Sequence, residues 1–370
     1  MRRLMLSALL LMSAALAMRG GEPADTCGCE SAGKAYWVKQ LFRNGFHIND
    51  STVCYPRFPR FALKVYNWGD RTFNRYDPAY VVGTGKNWKL TAKTQNWIES
   101  TNMLFPESRE LAMHSSVYSD AGISLSFMAV SLGWTWNMNK LFNQPSSRKT
   151  FDFSFTTSRF SIAINQLSSS GGMIITNFGD YNDGRRLRYH FDDVDFQSTT
   201  AQAYWFFNNY RYSQAAAYSW SRYQLRSAGS ALAGFQYNEQ KLSMDFSRLP
   251  ADMLPYLPLE SPAYDSHYRS YNLMGGYAFN WVLYPRRWLV NIFATGSVGY
   301  REVLGDRGEE RHSIKSLLSN TVQTNIAGVY NHRALFVALT MNFYGIFNYN
   351  SRYTHFDAYG RLTGVAGVRF

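Results

Sequence analysis

The sequence ends on Arg361-Leu362-Thr363-Gly364-Val365-Ala366-Gly367-Val368-Arg369-Phe370, in which the residue types alternate one by one. Side chains of a strand point alternately to its two faces, so the apolar residues at even positions share one face and both arginines lie on the other. One apolar face, one more polar face and a final aromatic residue are typical of the last strand of an outer-membrane β-barrel. We therefore predict a barrel-assembly signal at Val368 and Phe370.

The same period of two recurs along most of the chain from residue 86. Candidate strands lie near 88–98, 116–127, 130–138, 150–156, 159–168, 198–210, 213–225, 230–245, 269–282, 288–301, 315–330, 334–347 and 357–370. Many of them have the length of a tilted bilayer crossing. Bacterial single-chain barrels have an even number of strands, so one or more of these thirteen candidates must be wrong. We predict an all-β fold, an antiparallel transmembrane β-barrel of about 12 strands, within a range of roughly 10 to 14.

Composition separates a membrane barrel from the alternatives. Aromatic residues make up 17% of the chain, yet the mean hydropathy is −0.31. Beyond the N-terminal stretch no apolar run approaches the ~20 residues of a membrane-spanning helix, which excludes a helical membrane protein. A soluble β-sandwich also alternates, but aromatics at strand ends, such as Trp134, Trp136, Trp281, Trp288 and Tyr300, favour an interfacial girdle.

The N-terminal part has a different pattern. Arg2 and Arg3 precede the apolar stretch Leu4–Leu16, and cleavage after Ala17 is expected, so residues 1–17 are predicted to be a secretory signal peptide. Residues 18–85 are predicted to form a periplasmic segment and residues 86–370 the barrel. Within 18–85 we expect a short basic helix over 32–44, followed by a loop rich in aromatics and prolines.

The net charge indicates the expected partners, and the cysteines indicate the expected disulfide. The formal net charge is +12, and an exported chain of this charge meets anionic lipid headgroups or anionic solutes rather than nucleic acid. Cys54 can pair with Cys27 or Cys29 in an oxidising compartment, and one disulfide or none is expected, with Cys29–Cys54 as the candidate pair. The three cysteines provide too few ligands for a structural metal site.

Several short motifs appear in order along the chain. They are Trp68-Gly69-Asp70, Phe73-Asn74, Tyr76-Asp77, Tyr80-Val81-Val82-Gly83-Thr84-Gly85-Lys86, Asn96-Trp97, Asn209, Tyr212-Ser213, Ala215–Ala217, Gln224, Ser227-Ala228-Gly229-Ser230 and Val368-Arg369-Phe370. With these motifs the chain from about residue 68 onward resembles a family of uncharacterised outer-membrane proteins of Bacteroides-type bacteria, described as a domain of unknown function. The resemblance implies a location and a fold. It implies no activity, and no catalytic residue is carried over from it.

Three motifs suggest chemistry only at first sight. The stretch 83–86 lacks the spacing and the Ser or Thr of a phosphate-binding loop, and 180–184 lacks the closing acidic residue of a calcium loop. His114 and Ser115 are adjacent on a predicted strand, so they point to opposite faces, and Ser116 has no nucleophile motif around it. We predict no catalytic residue, no cofactor and no metal site.

Five arginines are predicted on the polar face or at strand ends, and they are the candidate anion contacts of a lumen or rim: Arg222, Arg226, Arg301, Arg361 and Arg369. The competing interpretation is that they pair with Asp245, Glu302 or Asp357 and fill a closed barrel, or bind lipid phosphates at the rim. This interpretation is favoured because small barrels are filled by side chains.

The sequence thus predicts a monomeric barrel in the outer membrane of a Gram-negative bacterium, with its N-terminal segment in the periplasm. Its expected partners are outer-membrane lipids, including lipopolysaccharide, and the barrel-assembly machinery during insertion. Its expected role is structural or accessory, or that of a narrow channel for small solutes, and not enzymatic. The alternatives are a membrane-embedded lipid-acting enzyme and a secreted soluble β-rich binding protein.

Overall fold

The computed structural model describes residues 36–43, 53–73, 75–86, 88–127, 130–138, 147–182, 185–259, 261–306, 317–349 and 353–370. The predicted signal peptide, Cys27 and Cys29 lie outside these ranges. The chain divides into two compact units, Met1–Thr72 and Phe73–Phe370.

The first unit contains two helices, α1 (Tyr36–Arg43) and α2 (Arg57–Phe73). The α1 helix confirms the predicted short N-terminal helix. The predicted loop after it is wrong over 57–73, because Pro59 falls in the first turn of α2, where a missing backbone N–H costs little. The backbone N of Cys54 donates to Gln40 Oε1 over 3.1 Å, and Cys54 is disulfide-bonded. Its predicted pairing with Cys29 falls outside the described residues.

No helix in the described ranges is both long enough and apolar enough to cross a membrane.

The second unit is built from strands. They are β1 (Val81–Gly83), β2 (Trp88–Leu104), β3 (Glu110–Ser115), β4 (Tyr118–Phe127), β5 (Val130–Asn137), β6 (Ser147–Thr156), β7 (Phe160–Ser170), β8 (Met173–Phe178), β9 (Tyr189–Phe191), β10 (Val194–Phe206), β11 (Arg222–Gln224), β12 (Ala228–Asp245), β13 (Ala263–Tyr284), β14 (Trp288–Asp306), β15 (Leu318–His332), β16 (Leu335–Tyr349) and β17 (Thr354–Arg369). The unit also contains the helix α3 (Gln214–Tyr218) and 3₁₀ turns at Pro106–Ser108, Phe246–Arg248 and Leu254–Tyr256.

Twelve of these strands form the wall of the barrel. They pair antiparallel in the order β5-β4-β2-β17-β16-β15-β14-β13-β12-β10-β7-β6. The first wall strand in the chain therefore pairs with the last, from Lys89 opposite Arg369 to Leu104 opposite Thr354. The strands at the two ends of this order, β5 and β6, are consecutive in the chain. This order is that of a sheet curled back on itself, as predicted.

One of the thirteen predicted strands is wrong, and its removal leaves the twelve of the wall. Residues 213–225 form the helix α3 and the short β11 instead of a wall strand. The run Gln214-Ala215-Ala216-Ala217 consists of good helix formers, and the period-two pattern is weak there. The strand β11 pairs with β1 in a separate two-stranded sheet.

Alternation along each wall strand separates an apolar outer face from an inner face. On β16 the exposed residues are Leu335, Val337, Leu339, Met341 and Phe343. On β14 the outer face runs from Trp288 to Tyr300, both about half exposed. Thirteen residues at ~3.3 Å per residue, tilted by about 45°, give an apolar belt roughly 28 Å high, which matches the hydrocarbon core of a bilayer.

The two ends of the barrel differ. The terminal rim holds Trp88, Phe370, the short turns 157–159, 285–287 and 333–334, and the longer connection 207–227. The loop rim, at the opposite end, holds the longer connections 105–117, 171–193 and 246–262. Short turns at one end and long loops at the other are the usual arrangement of outer-membrane barrels.

A lid of buried apolar side chains covers the loop rim. It comprises Met103, Leu111, Met113, Met173, Ile175, Phe178, Phe191, Val194, Leu242, Met244, Phe246, Leu249, Met253 and Tyr264. These residues come from β2, β3, β8 and β9 on one side and from β10, β12, β13 and the connection 246–262 on the other. Because β2 and β12 are far apart in the sheet order, the lid joins opposite walls of the barrel.

Candidate functional site

Amide side chains inside the barrel link strands that are not neighbours in the sheet. Gln202 on β10 donates to Gln323 Oε1 on β15 over 3.0 Å. Gln240 on β12 donates to Asp357 Oδ2 on β17 over 2.6 Å. Each of these residues is buried or half-buried. The hydrogen bonds therefore cross the lumen, and they fill it where an open pore would hold water.

Tyrosine hydroxyls extend this network. Tyr268 on β13 donates to Gln240 Oε1 over 2.6 Å and accepts from Asn348 Nδ2 on β16 over 2.9 Å. Gln236 on β12 donates to the hydroxyl of Tyr344 on β16. Hydrogen bonds that link distant strands in this way rigidify an interior.

The charged part of the interior lies on β2, β4, β6 and β17. Arg148 Nη1 lies 2.9 Å from Glu99 Oε1, and both side chains are almost completely buried. The guanidinium carbon of Arg148 lies 4.3 Å from the ring centroid of Trp97 and 5.1 Å from that of Tyr118. Ser169 of β7 donates to Glu99 Oε2 over 3.2 Å. A buried charge is tolerable here because an opposite charge and aromatic rings surround it.

A second carboxylate anchors the wall near the loop rim. Asp357 accepts from Thr101 Oγ1 over 2.9 Å, in addition to the bond from Gln240. His355 Nε2 lies 3.0 Å from Asp357 Oδ1. These contacts join β2, β12 and β17 at one carboxyl group.

A cavity of about 70 Å³ lies within the interior, lined among others by Trp97, Asp152, Gln202, Tyr344 and Arg361. Ligand pockets are usually of ~300 Å³ or more. This cavity has room for a few water molecules and not for a sugar or a nucleotide.

The connection 207–227 closes the terminal rim, and we call it the plug. Its helix α3 packs Ala216 and Ala217 against Leu289, Val329 and Phe336 of the wall. Its second half, β11, pairs with β1, so Val81–Gly83 form part of the same closure.

Polar contacts fix the plug to β13 and β14. Tyr218 donates to Asn291 Oδ1 over 2.8 Å, and Asn291 Nδ2 donates to the hydroxyl of Tyr212 over 3.2 Å. Asn280 Nδ2 donates to the Ser213 carbonyl oxygen over 3.0 Å. Burial raises the pKa of the Tyr212 and Tyr218 hydroxyls, so both stay protonated at physiological pH.

The C-terminal strand latches the plug. Arg369 Nε donates to the Trp220 carbonyl oxygen over 2.8 Å, and its Nη2 donates to Asn331 Oδ1 of β15 over 2.7 Å. Lys89 Nζ donates to the Ser219 carbonyl oxygen over 2.5 Å. Trp220 has a φ of +52°, which is unusual for a bulky residue and persists only where surrounding contacts hold it.

The structure places the five candidate arginines in three settings. Arg301 and Arg369 are buried in the wall, and Arg301 Nη2 donates to the Tyr349 carbonyl oxygen over 3.2 Å. Arg361 lines the cavity and lies 3.5 Å from Asp152 Oδ2. The remaining two lie in or beside the plug, against rings of the preceding segment: Arg222 over Tyr76 and Arg226 over Tyr80. Of the suggested acidic partners, Asp245 and Glu302 are on the outer face, and the contacts of Asp357 given above involve no arginine.

The two assembly-signal residues lie at the terminal rim. Phe370 exchanges two backbone hydrogen bonds with Trp88, each 3.0 Å long, and the two rings stack with centroids 6.5 Å apart. Val368 follows the outer face of β17, opposite Leu335.

The residues of the motifs that only resemble functional sites make contacts within the fold. Ser115 Oγ accepts from the Glu99 backbone N over 2.9 Å, and His114 Nδ1 lies 3.0 Å from the Ser115 carbonyl oxygen. Gly83 ends β1, so the stretch 83–86 leads from β1 towards the wall. In the described ranges no group of three or more His, Cys, Asp and Glu residues is placed to hold a metal ion.

The plug is the feature that sequence analysis missed. The signals available for it were the alanine run and the motifs at Asn209, Tyr212-Ser213 and Gln224, which interrupt the alternation. Tyr76, in another of these motifs, accepts a hydrogen bond from Ser213 Oγ over 3.3 Å. Motifs that are far apart in the sequence thus meet at the terminal rim.

Comparison with solved structures finds other β-barrels, each of low similarity. The TodX monoaromatic hydrocarbon channel deltaS2 mutant is 8% identical, with 77% of this chain and 91% of that chain covered and a TM-score of 0.24. The toluene transporter TodX of P. putida is 7% identical, with 77% and 90% covered and a TM-score of 0.21. The translocator domain of the autotransporter NalP from Neisseria meningitidis is 8% identical, with 92% and 100% covered and a TM-score of 0.27.

No curated protein matches this sequence. The family model described as Domain of unknown function (DUF4421) matches residues 75–370. That range includes every wall strand, the lid and the plug. The chain therefore belongs to the DUF4421 family.

Proposed function

We propose that this protein is an occluded outer-membrane β-barrel with a structural or accessory role, closed by the plug on the periplasmic side and by the lid on the outer side. The apolar belt of the wall supports insertion into lipid, and the short turns of the terminal rim support its periplasmic orientation. The proposal includes a monomer in a Gram-negative bacterium, of the Bacteroides type that the resemblance implies, in contact with lipopolysaccharide and inserted by the barrel-assembly machinery at Val368 and Phe370.

One observation carries the structural role: the interior is filled by side chains that bond to each other across the lumen. The bond from Gln202 to Gln323 alone joins two walls that are separated by three strands in the sheet order. A barrel filled in this way does not conduct solutes unless some part of the filling moves.

The location is tested by fractionation of the producing cells. We expect the mature protein in the outer-membrane fraction, with a mobility on a denaturing gel that changes on heating. A protein that stays in the soluble periplasmic fraction would contradict membrane insertion and favour a secreted binding protein.

The occlusion is tested by conductance in planar bilayers. We expect the wild-type protein to give no stable open-channel current. Steady wild-type conductance would identify an open pore.

A second candidate function is a gated, anion-preferring channel, and the charges of the inner wall support it. Its described cationic residues are Lys89, Lys93, Arg148, Arg301, Arg361 and Arg369, and its described acidic residues are Glu99, Asp120, Asp152 and Asp357. The excess of positive charge attracts anions if the plug, the lid and the filling between them move aside. The reversal potential of any recorded openings in a salt gradient tests this, since cation preference would contradict it.

A further inference from the structure

The exposed face of α2 carries apolar side chains beside basic ones. On a helix of 3.6 residues per turn, Phe58, Phe61 and Trp68 fall within an arc of about 80°. The basic residues Arg57, Arg60 and Lys64 fall in the adjoining arc of about 60°. Phe58 is 57% exposed, and Phe61 and Trp68 are each 63% exposed. Apolar residues therefore point to solvent beside the basic flank, whereas most helices of a soluble unit bury them.

The last residue of α2 belongs to the barrel unit and fixes where the helix ends. The Phe73 carbonyl oxygen accepts from Ser158 N over 3.0 Å and from Ser158 Oγ over 2.5 Å. The Phe73 ring packs edge-on against Phe160, with centroids 5.4 Å apart, and Phe160 stacks with Trp205 at 6.5 Å. Trp205 is 44% exposed on the outer face. The helix thus ends beside the aromatic residues of the terminal rim, where a barrel meets the membrane–water interface.

We propose that α2 is an interfacial helix that binds the phospholipid surface of the leaflet at the terminal rim. Phe58, Phe61 and Trp68 insert between acyl chains, and Arg60 and Lys64 contact the phosphates of anionic headgroups. A basic flank with Phe and Trp beside it is the composition of helices that lie in a membrane surface. This inference rests on the proposed membrane location of the barrel.

The occupant is a lipid surface, because of the charge and the apolar side chains of the exposed face. Arg60 and Lys64 are exposed beside the aromatic side chains, so a partner must accept both apolar insertion and positive charge. A membrane with anionic lipids offers both at the level where Phe73 is held.

Trypsin cleavage of the full chain in nanodiscs tests the proposal. The bonds Arg60–Phe61 and Lys64–Val65 are the reporters, and the exposed Arg185–Arg186 bond at the loop rim is the internal reference. We expect cleavage at the two reporters to slow about tenfold when phosphatidylglycerol is added to phosphatidylcholine nanodiscs, because proteolysis follows the released population of the helix. Cleavage at the reference bond should not change.

The double variant Phe58→Ser, Phe61→Ser keeps both cleavage sites and both basic residues. We expect it to be cleaved quickly in both lipids. Equal protection of variant and wild type would show that protein covers the helix, and equal rapid cleavage of the wild type in both lipids would show that lipid does not bind it. Either result overturns the proposal. Heat-dependent mobility of the same nanodisc sample is checked first, so that a failure of barrel insertion is recognised separately.

Discussion

Release of the plug by the substitution Arg369→Ala is the perturbation with the most direct structural basis. Arg369 is only 3% exposed, and its two short hydrogen bonds, to the Trp220 carbonyl oxygen and to Asn331, are charge-assisted. A third bond to the Tyr223 hydroxyl is longer, at 3.3 Å. Its guanidinium also lies 4.3 Å from the Phe336 ring centroid. The alanine variant removes all of these contacts at once.

One short bond sets the expected magnitude, because Asn331 belongs to the wall and its bond to Arg369 does not depend on the plug. A buried hydrogen bond to a charged group contributes ~1.5 kcal/mol at the low end, so loss of the bond to the Trp220 carbonyl oxygen favours the released plug by about 1.5 kcal/mol. At 1.4 kcal/mol per factor of ten, the population with the plug released rises about tenfold. The bond from Lys89 to the Ser219 carbonyl oxygen remains, so the plug is weakened and not deleted.

Hydrogen exchange at the backbone amides of residues 213–224 measures this population, because these amides exchange when the plug is released. The matched control is Arg286→Gln, which removes one positive charge from an exposed turn of the same rim. We expect exchange at these amides to accelerate in Arg369→Ala and to keep the wild-type rate in the control. An Arg369→Ala protein that folds, judged by heat-dependent mobility, and exchanges as slowly as the wild type would refute the latch.

Four further predictions concern the wall and the lid. Asp357→Ala leaves its buried donors without an acceptor and should destabilise the barrel by about 3 kcal/mol, measured by urea unfolding in lipid vesicles, with unchanged stability as the contrary result. Phe246→Ala removes a fully buried ring stacked on Phe191 at 4.9 Å and should cost ~3 to 5 kcal/mol in the same assay, whereas a negligible loss would mean that the lid is not packed. Asp245, beyond the apolar belt, has a lowered pKa because it accepts hydrogen bonds from Ser247. Its cap is therefore intact at neutral pH and is lost as pH falls through that lowered value, so the protection factor of the Ser247 amide against hydrogen exchange should fall in acid, and less so in Asp245→Asn. Deletion of Phe370 should leave secretion intact and reduce insertion, and normal heat-dependent mobility of the truncated protein would count against its role.

The wall was predictable because a strand with one lipid-facing side shows its register as an alternation of residue types in the sequence. Leu335, Val337 and Leu339 are exposed as the alternation required, and Phe336 and Ala338 between them are buried. A shift by one residue would reverse both faces, so the pattern specifies the pairing strongly.

The plug and the interior partners were not predictable in the same way. The helix α3 is five residues long, which is too short for a periodic signal, and its Ala216 and Ala217 are buried only because wall residues from distant strands surround them. The partner of Arg361 is Asp152, more than two hundred positions away in the chain, and sequence order gives no information on that contact. The prediction of function from the sequence was limited for the same reason, since occlusion depends on contacts across the lumen.

Solute entry into proteoliposomes tests occlusion most directly. Vesicles that contain the wild-type protein are placed in an isotonic sugar solution, and swelling is followed by light scattering beside protein-free vesicles and vesicles that contain an open porin. We expect no more swelling with the wild type than with protein-free vesicles, and rapid swelling with the porin, provided that the wild-type protein shows heat-dependent mobility. Wild-type vesicles that swell as fast as those of the porin would contradict an occluded barrel.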